Sequence, residues 1–315
     1  MITFSDIEDA YRILKPVVHK TPLLSSRTLN GTSANEIYFK AENFQRVGAF
    51  KFRGAYNKIA SLTEDQRKRG VIAHSSGNHA QGVALAAKLF GIKAVIVMPQ
   101  NSVSSKIEAT KEYGAEVVFC GTTINDRERK TNELISAHGY TLIHPFHDEK
   151  IICGQGTVVL EIFKEMQDLD YLFVPIGGGG LIAGCAIAAK NLFPAVKVIG
   201  VETEGANDCW RSIRAGKIIS LASVNTIADG MRTNAVGAMN FGIIQKYVDD
   251  VITVSDDDLY PMMKYFIERM KIIVEPTGAV APAAAMKNAM GIRGKKICAV
   301  ISGGNIDPAL LKKIF

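Results

Sequence analysis

The chain has 315 residues, enough for about two domains, and its 47% hydrophobic and 22% charged residues match an ordinary globular protein. A chain of this length can bury a large core, so it needs no disulfide or metal to fold. The net charge of +6 comes from scattered basic residues, so we expect no nucleic-acid partner. Five cysteines without a C-x-x-C pair indicate a reducing compartment, and we expect a cytoplasmic protein.

Short apolar runs alternate with helical segments along most of the chain. The runs that predict strands are 70–73, 94–98, 116–120, 171–176, 197–201 and 296–301. The segments that predict helices are 79–90, 103–113, 127–138, 156–166 and 181–191. Apolar strands separated by helices are typical of parallel sheets covered on both faces, so we predict an α/β fold. We further predict a small domain over residues 66–147 and a large domain formed by residues 1–65 and 148–315.

One segment, residues 171–189, resembles a membrane span because it contains no charged side chain. Its middle holds Pro175 and four consecutive glycines, which are unsuited to one continuous helix. We therefore predict a buried strand, a glycine loop and a buried helix here, and no contact with a membrane.

The glycine run 177–180 follows a predicted strand, and ligands bind beyond the carboxyl ends of strands in open α/β sheets. Glycines let backbone amides approach an anion closely, and the next helix adds the positive end of its dipole. The run therefore predicts a phosphate site without a cationic side chain. Gly178-x-Gly180-x-x-Ala183, followed by Glu202 at the end of the next strand, also matches a relaxed dinucleotide fingerprint. By motif alone, a nicotinamide-dependent dehydrogenase is the alternative.

Two further segments carry candidate chemistry. Ser75 and Ser76 precede a predicted helix, where hydroxyl residues serve either as N-caps or as donors to a substrate carboxylate. Lys51 lies between two phenylalanines, where an amine loses its proton more easily, although most lysines in such runs are surface charges.

Taken together, these segments resemble the fold-type II pyridoxal-phosphate enzymes, specifically the serine racemase and serine/threonine dehydratase branch. The matching segments span nearly the whole chain, in the order found in the family: 20–23, 40–45, 48–54, 75–81, 154–157, 175–180, 226–230, 274–277 and 302–305. The resemblance implies a two-lobed fold like that of the tryptophan synthase β subunit. It also implies pyridoxal 5'-phosphate as cofactor and a homodimer.

The resemblance assigns roles at the cofactor. Lys51 would form the Schiff base with pyridoxal phosphate, Asn78 would hydrogen-bond the phenolic oxygen of the ring, and Ser302 would face the pyridine nitrogen. The residues that would hold the phosphate end are Gly177, Gly178, Gly179, Gly180 and Leu181.

The resemblance also implies the reaction. Lys51 would remove the Cα proton of a small hydroxy amino acid, and Ser76 would act as acid or base on the opposite face. The residues expected to bind the substrate are Ser75, Ser76, Asn78, His79 and Arg127. The implied activity converts L-threonine or L-serine to 2-oxobutyrate or pyruvate plus ammonia, with serine racemisation as a second activity. The alternatives are a dedicated serine racemase and a threo-3-hydroxyaspartate dehydratase.

Two regulatory ligands follow from the same resemblance. Glu202, Asp208 and the carbonyl of Ala206 match a divalent-cation site for Mg²⁺ or Ca²⁺, ions that prefer oxygen ligands. ATP-binding racemases usually carry Thr and Asn where this chain has Val47 and Phe146, which weighs against ATP as an effector and favours the dehydratase. Other positions still match the nucleotide site: Ser26, Gln81, Tyr113, Lys271 and Asn305.

Overall fold

The computed structural model describes residues 2–315 and has an α/β architecture with ten strands in two sheets. The strands are β1 (Leu23–Ser25), β2 (Glu36–Ala41), β3 (Val71–His74), β4 (Ala94–Pro99), β5 (Glu116–Cys120), β6 (Thr141–Leu142), β7 (Tyr171–Pro175), β8 (Lys197–Thr203), β9 (Asp250–Val254) and β10 (Lys296–Ile301). The larger sheet has the order β1-β2-β10-β7-β8-β9, and the smaller has the order β5-β4-β3-β6. Every pairing is parallel except that of β1 with β2. The predicted fold class is confirmed.

Helices cover both sheets. They are α1 (Phe4–Leu14), α2 (Arg27–Ser33), α3 (Lys51–Ala60), α4 (Glu64–Arg69), α5 (Asn78–Leu89), α6 (Ser104–Glu112), α7 (Ile124–His138), α8 (Glu149–Glu165), α9 (Gly180–Leu192), α10 (Asp208–Ala215), α11 (Ala238–Tyr247), α12 (Asp256–Tyr265), α13 (Pro276–Met286) and α14 (Pro308–Leu311). No helix in residues 2–315 is long and apolar enough to cross a membrane. Residues 171–189 form β7, a glycine turn and most of α9, as predicted.

The division of strands between the sheets follows the sequence order. The smaller sheet is built from residues 71–142, whereas the larger takes strands from both sides of that segment. The predicted domain bounds of 66–147 enclose the smaller sheet and stay a prediction.

Helices α8 and α9 pack against each other because small residues face each other. A Cβ added at Gly184 would lie 2.2 Å from the carbonyl oxygen of Ile152, and one at Gly156 would lie 2.7 Å from the carbonyl oxygen of Gly184. The resulting close approach fixes α9, and with it the glycine turn at its amino end. Helix α8 begins seven residues earlier than predicted, because the side chain of Asp148 accepts hydrogen bonds from the amides of Lys150 and Ile151.

A fully buried charge cluster joins β2, α3 and α8. Arg53 donates to Glu42 (2.7 Å) and to Glu161 (2.7 Å), and Lys40 donates to Glu161 (2.7 Å) and to the carbonyl of Thr21 (2.6 Å). Burial alone would raise the pKa of Glu161, but Arg53 and Lys40 hold that pKa below its usual value. The cluster therefore keeps two cations and two carboxylates paired, and it fixes α3 only two residues from Lys51.

Candidate active site

A cavity of about 640 Å³ opens at the carboxyl ends of β3, β7 and β10, between the two sheets. It gathers segments that are far apart in the chain, as expected for parallel strands. All the residues predicted to bind cofactor or substrate line it: Lys51, Ser75, Ser76, Asn78, His79, Arg127, Gly177, Gly178, Gly179, Gly180, Leu181 and Ser302.

Lys51 is the first residue of α3, and its side chain is half-buried at the cavity wall. Its Nζ donates to the carbonyl oxygen of Pro145 at 2.8 Å and lies 5.1 Å from the ring centroid of Phe50. Burial lowers the pKa of Lys51 to about 8, against the opposing effect of the Glu275 carboxylate. The positive end of α3 also disfavours a protonated amine there. Lys51 is therefore suited to act as a nucleophile or a base rather than as a surface charge.

The glycine turn forms the amino end of α9. Its first helical residue is Gly180, and the capping residue Gly179 has φ +87° and offers no side-chain cap, which leaves backbone N–H groups free to bind an anion. The carbonyl of Gly178 is turned away from such an anion by hydrogen bonds from the Asn240 amide side chain (2.6 Å) and the Gly237 N–H (3.2 Å). The turn therefore presents donors and not acceptors to the cavity.

The serine turn forms a second uncapped helix end in the same cavity. The capping residue of α5 is Gly77, so neither Ser75 nor Ser76 is the N-cap, and the capping explanation of these serines is not needed. Ser75 Oγ accepts a hydrogen bond from the Gly77 N–H at 3.3 Å. His79 is deeply buried and donates its Nε2–H to the carbonyl of Ile143 (2.8 Å). Burial, then the Lys51 charge, lowers the pKa of His79 well below its usual value, so the ring stays neutral.

Asn78 is held in one orientation by two partners from distant segments. Its Nδ2 donates to Glu275 Oε1 at 2.6 Å, and its Oδ1 accepts from Asn305 Nδ2 at 2.8 Å. Burial, then the charge of Asp229, raises the pKa of Glu275 to about 8, so this carboxyl group is largely protonated at neutral pH. The amide of Asn78 keeps a second N–H for a ligand.

Ser302 follows β10, and its hydroxyl is buried without a hydrogen-bond partner. Buried polar atoms are normally paired, so this orphaned hydroxyl predicts a ligand atom opposite it. A pyridine nitrogen is a neutral acceptor of the right kind for a serine hydroxyl.

Arg127 lies on α7 at the cavity wall and is half-buried. Its Nε is buried without a hydrogen-bond partner, and within residues 2–315 its guanidinium makes no ion pair. Two other lining cations are engaged: Lys106 is paired with Asp229, and Arg232 donates from Nε and Nη2 to the carbonyl of Thr226. The unpaired guanidinium of Arg127 is therefore the group in the cavity most suited to a second anionic group of a substrate.

Several lining residues carried no role in the sequence analysis. Glu275, which orients Asn78, belongs to a segment that matched the family, and that match was the only signal for it. His144 and Pro145 form the turn that contacts Lys51, and their role depends on hydrogen bonds that no sequence pattern encodes.

The predicted cation ligands lie away from this cavity, around the amino end of α10. Glu202 and Asp208 are buried, and the Oδ2 atom of Asp208 has no hydrogen-bond partner. Burial raises the pKa of Asp208 to about 7, and burial with the nearby Asp208 charge raises the pKa of Glu202. Two adjoining buried carboxyl groups with an orphaned oxygen fit a cation. No cluster of three His, Cys, Asp or Glu side chains that could hold a metal occurs in residues 2–315, so backbone carbonyls and water would complete the shell.

Two of the positions that match a nucleotide site are engaged within the chain. Ser26 Oγ lies 2.5 Å from the hydroxyl of Tyr265, and Asn305 Nδ2 donates to the carbonyl of Val47 at 2.7 Å. These two side chains therefore already have partners within the chain.

The comparisons with known proteins agree with this geometry. A family model described as pyridoxal-phosphate dependent enzyme matches residues 14–303. The chain is 47% identical over 305 residues to L-threo-3-hydroxyaspartate ammonia-lyase of Saccharomyces cerevisiae, covering 97% of this chain and 94% of that one. It is 44% identical over 314 residues to L-threonine ammonia-lyase of Thermotoga maritima, covering 100% of this chain and 78% of that one. The chain belongs to the pyridoxal-phosphate-dependent ammonia-lyase and racemase family.

The structure of maize serine racemase supports the same family assignment. It superposes with a TM-score of 0.95 at 42% identity and covers 99% of this chain and 96% of that one. Together with the two ammonia-lyases, it gives three relatives with different names at similar identity, so family membership alone does not specify the substrate.

The residues present fit the family's cofactor. The uncapped end of α9 suits its phosphate, the free N–H of Asn78 suits its phenolic oxygen, and the orphaned hydroxyl of Ser302 suits its ring nitrogen. The dinucleotide alternative is not supported, because the matching family is pyridoxal-phosphate dependent and Glu202, the acid that would bind a ribose, does not line the cavity that holds the glycine turn.

Proposed function

We propose that this protein is an ammonia-lyase that eliminates water from L-threonine and L-serine. Hydrolysis of the dehydrated imine then takes up one water and releases ammonia together with 2-oxobutyrate or pyruvate. The observation that carries the proposal is the half-buried Lys51 amine, with its pKa of about 8, in one cavity with two uncapped helix ends. When bound, pyridoxal phosphate draws electrons from the Cα–H bond of the amino acid and so makes that proton removable.

The side chains have separate tasks in this proposal. The Lys51 amine takes the Cα proton as general base, a role that its lowered pKa supports near neutral pH. The amino end of α5, with Ser75, Ser76, Asn78 and His79 around it, binds the substrate carboxylate through N–H and O–H donors. The amino end of α9, from Gly177 to Leu181, holds the cofactor phosphate. Ser302 and Asn78 orient the ring, through its nitrogen and its phenolic oxygen.

Serine racemisation is proposed as a second activity of the same site. A base on one face and an acid on the other can invert Cα, and Ser76 is the hydroxyl proposed to act opposite Lys51. No hydrogen bond to another residue occupies the Ser76 side chain in residues 2–315, which leaves it available for this role.

A second candidate substrate, L-threo-3-hydroxyaspartate, is favoured by one observation. Arg127 is a half-buried cation at the cavity wall without an ion-pair partner among the described residues. A guanidinium binds a carboxylate in a bidentate manner, so Arg127 suits the additional carboxylate of this substrate.

A substrate panel tests these proposals. Purified holoenzyme is assayed with L-threonine, L-serine and L-threo-3-hydroxyaspartate for ammonia and 2-oxo acid, and chiral chromatography follows D-serine. We expect equal amounts of ammonia and 2-oxo acid from threonine and serine, and no turnover by Lys51→Ala. Absence of ammonia from all three substrates would refute the lyase proposal, and normal turnover by Lys51→Ala would refute the role of the lysine.

The Arg127→Met variant separates the substrates within the same panel. A selective loss of hydroxyaspartate turnover would support the second candidate, because methionine keeps the apolar stem of the side chain but not the charged guanidinium. Equal retention of all three activities would remove Arg127 from substrate binding.

We further propose a Mg²⁺ or Ca²⁺ site at Glu202, Asp208 and the carbonyl of Ala206, a homodimeric assembly and a cytoplasmic location. The buried, orphaned carboxylate oxygen of Asp208 supports the cation, and the five unpaired cysteines suit a reducing compartment. Sedimentation of the purified protein tests the dimer, and adding ATP to the assay tests the nucleotide prediction.

A further inference from the structure

His144 lies at the cavity wall in the connection between β6 and α8, outside the tasks given above. Its Nδ1 accepts two backbone hydrogen bonds, from the N–H of Phe146 at 3.2 Å and from that of His147 at 2.8 Å. A ring nitrogen that accepts cannot carry a proton, so the ring is neutral with its hydrogen on Nε2. Burial, and to a smaller extent the charges of His74 and His147, lower the pKa of His144 to about 4. Nδ1 therefore stays unprotonated and able to accept hydrogen bonds at neutral pH.

The turn that His144 caps contacts two parts of the site. The carbonyl of Pro145 accepts the hydrogen bond of Lys51 Nζ at 2.8 Å. The Phe146 ring packs on the glycine turn so closely that a Cβ at Gly178 would lie 2.3 Å from it, and the carbonyl of Phe146 accepts from Asn240 Nδ2 at 3.1 Å. Asn240 also fixes the carbonyl of Gly178. One turn therefore contacts both the amine and the phosphate loop.

We propose that His144 is a positioning residue that accepts both N–H groups of the turn. It thereby holds the Pro145 carbonyl where it accepts from the free Lys51 amine, and it holds Phe146 against the glycine turn. The proposal rests on the proposed role of Lys51 as the base. Without the acceptor, two N–H groups lose their partner and the turn relaxes into other conformations. Errors of about 1 Å in the placement of a catalytic group cost up to about 100-fold in rate.

The chain permits a matched set of substitutions. In His144→Asn the side-chain oxygen takes the place of Nδ1. An Asn side chain accepts a hydrogen bond from the backbone N–H two residues later in the chain, and it favours a turn before proline. In His144→Leu the bulk stays but the acceptor is lost, and in His144→Gln the acceptor is displaced by one methylene. His138→Leu, at an exposed residue of α7, is the control for a histidine change away from the site.

The holoenzymes are compared for kcat and KM with L-threonine and L-serine, for retention of pyridoxal phosphate by absorbance after gel filtration, and for melting temperature. We expect His144→Leu and His144→Gln to lose about 10- to 100-fold in kcat with a smaller change in KM, and to retain less cofactor. His144→Asn is expected to stay within a few-fold of the parent, and His138→Leu to match it.

Two results would overturn the proposal. Normal kcat and cofactor retention in His144→Leu would show that the acceptor is not needed, and a folded His144→Asn as impaired as His144→Leu would show that the ring itself acts. If His144→Leu does not fold, the comparison of His144→Gln with His144→Asn shows instead whether the hydrogen-bond acceptor must lie at the position of Nδ1. Cofactor retention is measured without substrate, so the role of His144 can fail or stand independently of the lyase activity.

Discussion

Lys51 shows how the position of one residue changes its chemistry. An exposed lysine has a pKa near 10.4, so almost none of it is neutral at physiological pH. Burial at the amino end of α3 lowers the pKa of Lys51 to about 8. A substantial fraction of the amine is then unprotonated and able to attack an aldehyde or take a proton.

The first prediction concerns pH. The neutral amine is the reactive form, so the rate of pyridoxal phosphate uptake by the apoenzyme is expected to rise with pH and to reach half its maximum at about pH 8. Stopped-flow absorbance over a pH series measures this rate. A midpoint near that of a free lysine would contradict the burial of Lys51.

The second prediction separates the two faces of the substrate. Ser76→Ala removes a proposed acid or base but not the Lys51 amine, so D-serine formation from L-serine is expected to fall about 100-fold while elimination falls much less. Chiral chromatography beside a pyruvate assay gives both rates. Ser75→Ala is the matched control, expected to reduce the two rates alike, and equal losses in Ser76→Ala would argue against the two-face arrangement.

At the scale of single residues, the sequence predicted which residues share the cavity but not how their side chains are oriented. Lys51, the serine turn, the glycine turn and Ser302 follow strand ends or match family segments, and the structure brings them together. The partners of these residues arise from contacts between distant segments. Glu275 orients Asn78 across 197 positions, and no local pattern encodes such a pairing.

At the scale of elements, apolar runs located most strands of the sheets. The predicted strands at 116–120 and 296–301 agree in both bounds with β5 and β10. Strands β1, β2, β6 and β9 were missed. β1 and β6 have only three and two residues, and the charged Lys40 interrupts the apolar run of β2. The charge of Lys40 is neutralised by Glu161 on α8, and this ion pair is a tertiary contact that no local sequence pattern encodes.

The third prediction tests the buried cluster that joins β2, α3 and α8. Glu161→Gln leaves the buried Lys40 and part of Arg53 without a counter-charge, so the free energy of unfolding is expected to fall by about 3 kcal/mol or more. Glu165→Gln, in the same helix, breaks only the surface pair with Lys20 and is expected to cost less than about 1 kcal/mol. Chemical unfolding compares the variants, and similar small losses would mean that the cluster is no stronger than a surface pair.

At the scale of the whole molecule, the cavity takes residues from both sheets, whereas the proposed cation site belongs to the larger sheet alone. Glu202 is the penultimate residue of β8, and Asp208 begins α10. A cation there would act through the stability of the fold rather than through contact with the substrate.

The fourth prediction follows from the two buried carboxyl groups. Burial raises the pKa of both groups, so ionising them costs folding free energy that a bound cation offsets. Mg²⁺ or Ca²⁺ is therefore expected to raise the melting temperature by several degrees, since ligand at a hundredfold excess over Kd contributes about 2.7 kcal/mol. Asp208→Asn removes one charge, so in chelator it is expected to melt above the parent and to respond no further to cation. Asp257→Asn, at an exposed residue, is the control. A parent protein indifferent to both ions would refute the site.

The place of β10 in the larger sheet has a consequence for biosynthesis. Although β10 comes after the other nine described strands in chain order, it lies in the interior of the sheet, between β2 and β7. On the ribosome, the facing edges of β2 and β7 must wait unpaired until residues 296–301 leave the exit tunnel, while strands β3 to β6 are already available to one another. Unpaired apolar edges invite association with other chains, so the nascent protein passes through a long interval in which chaperones matter most.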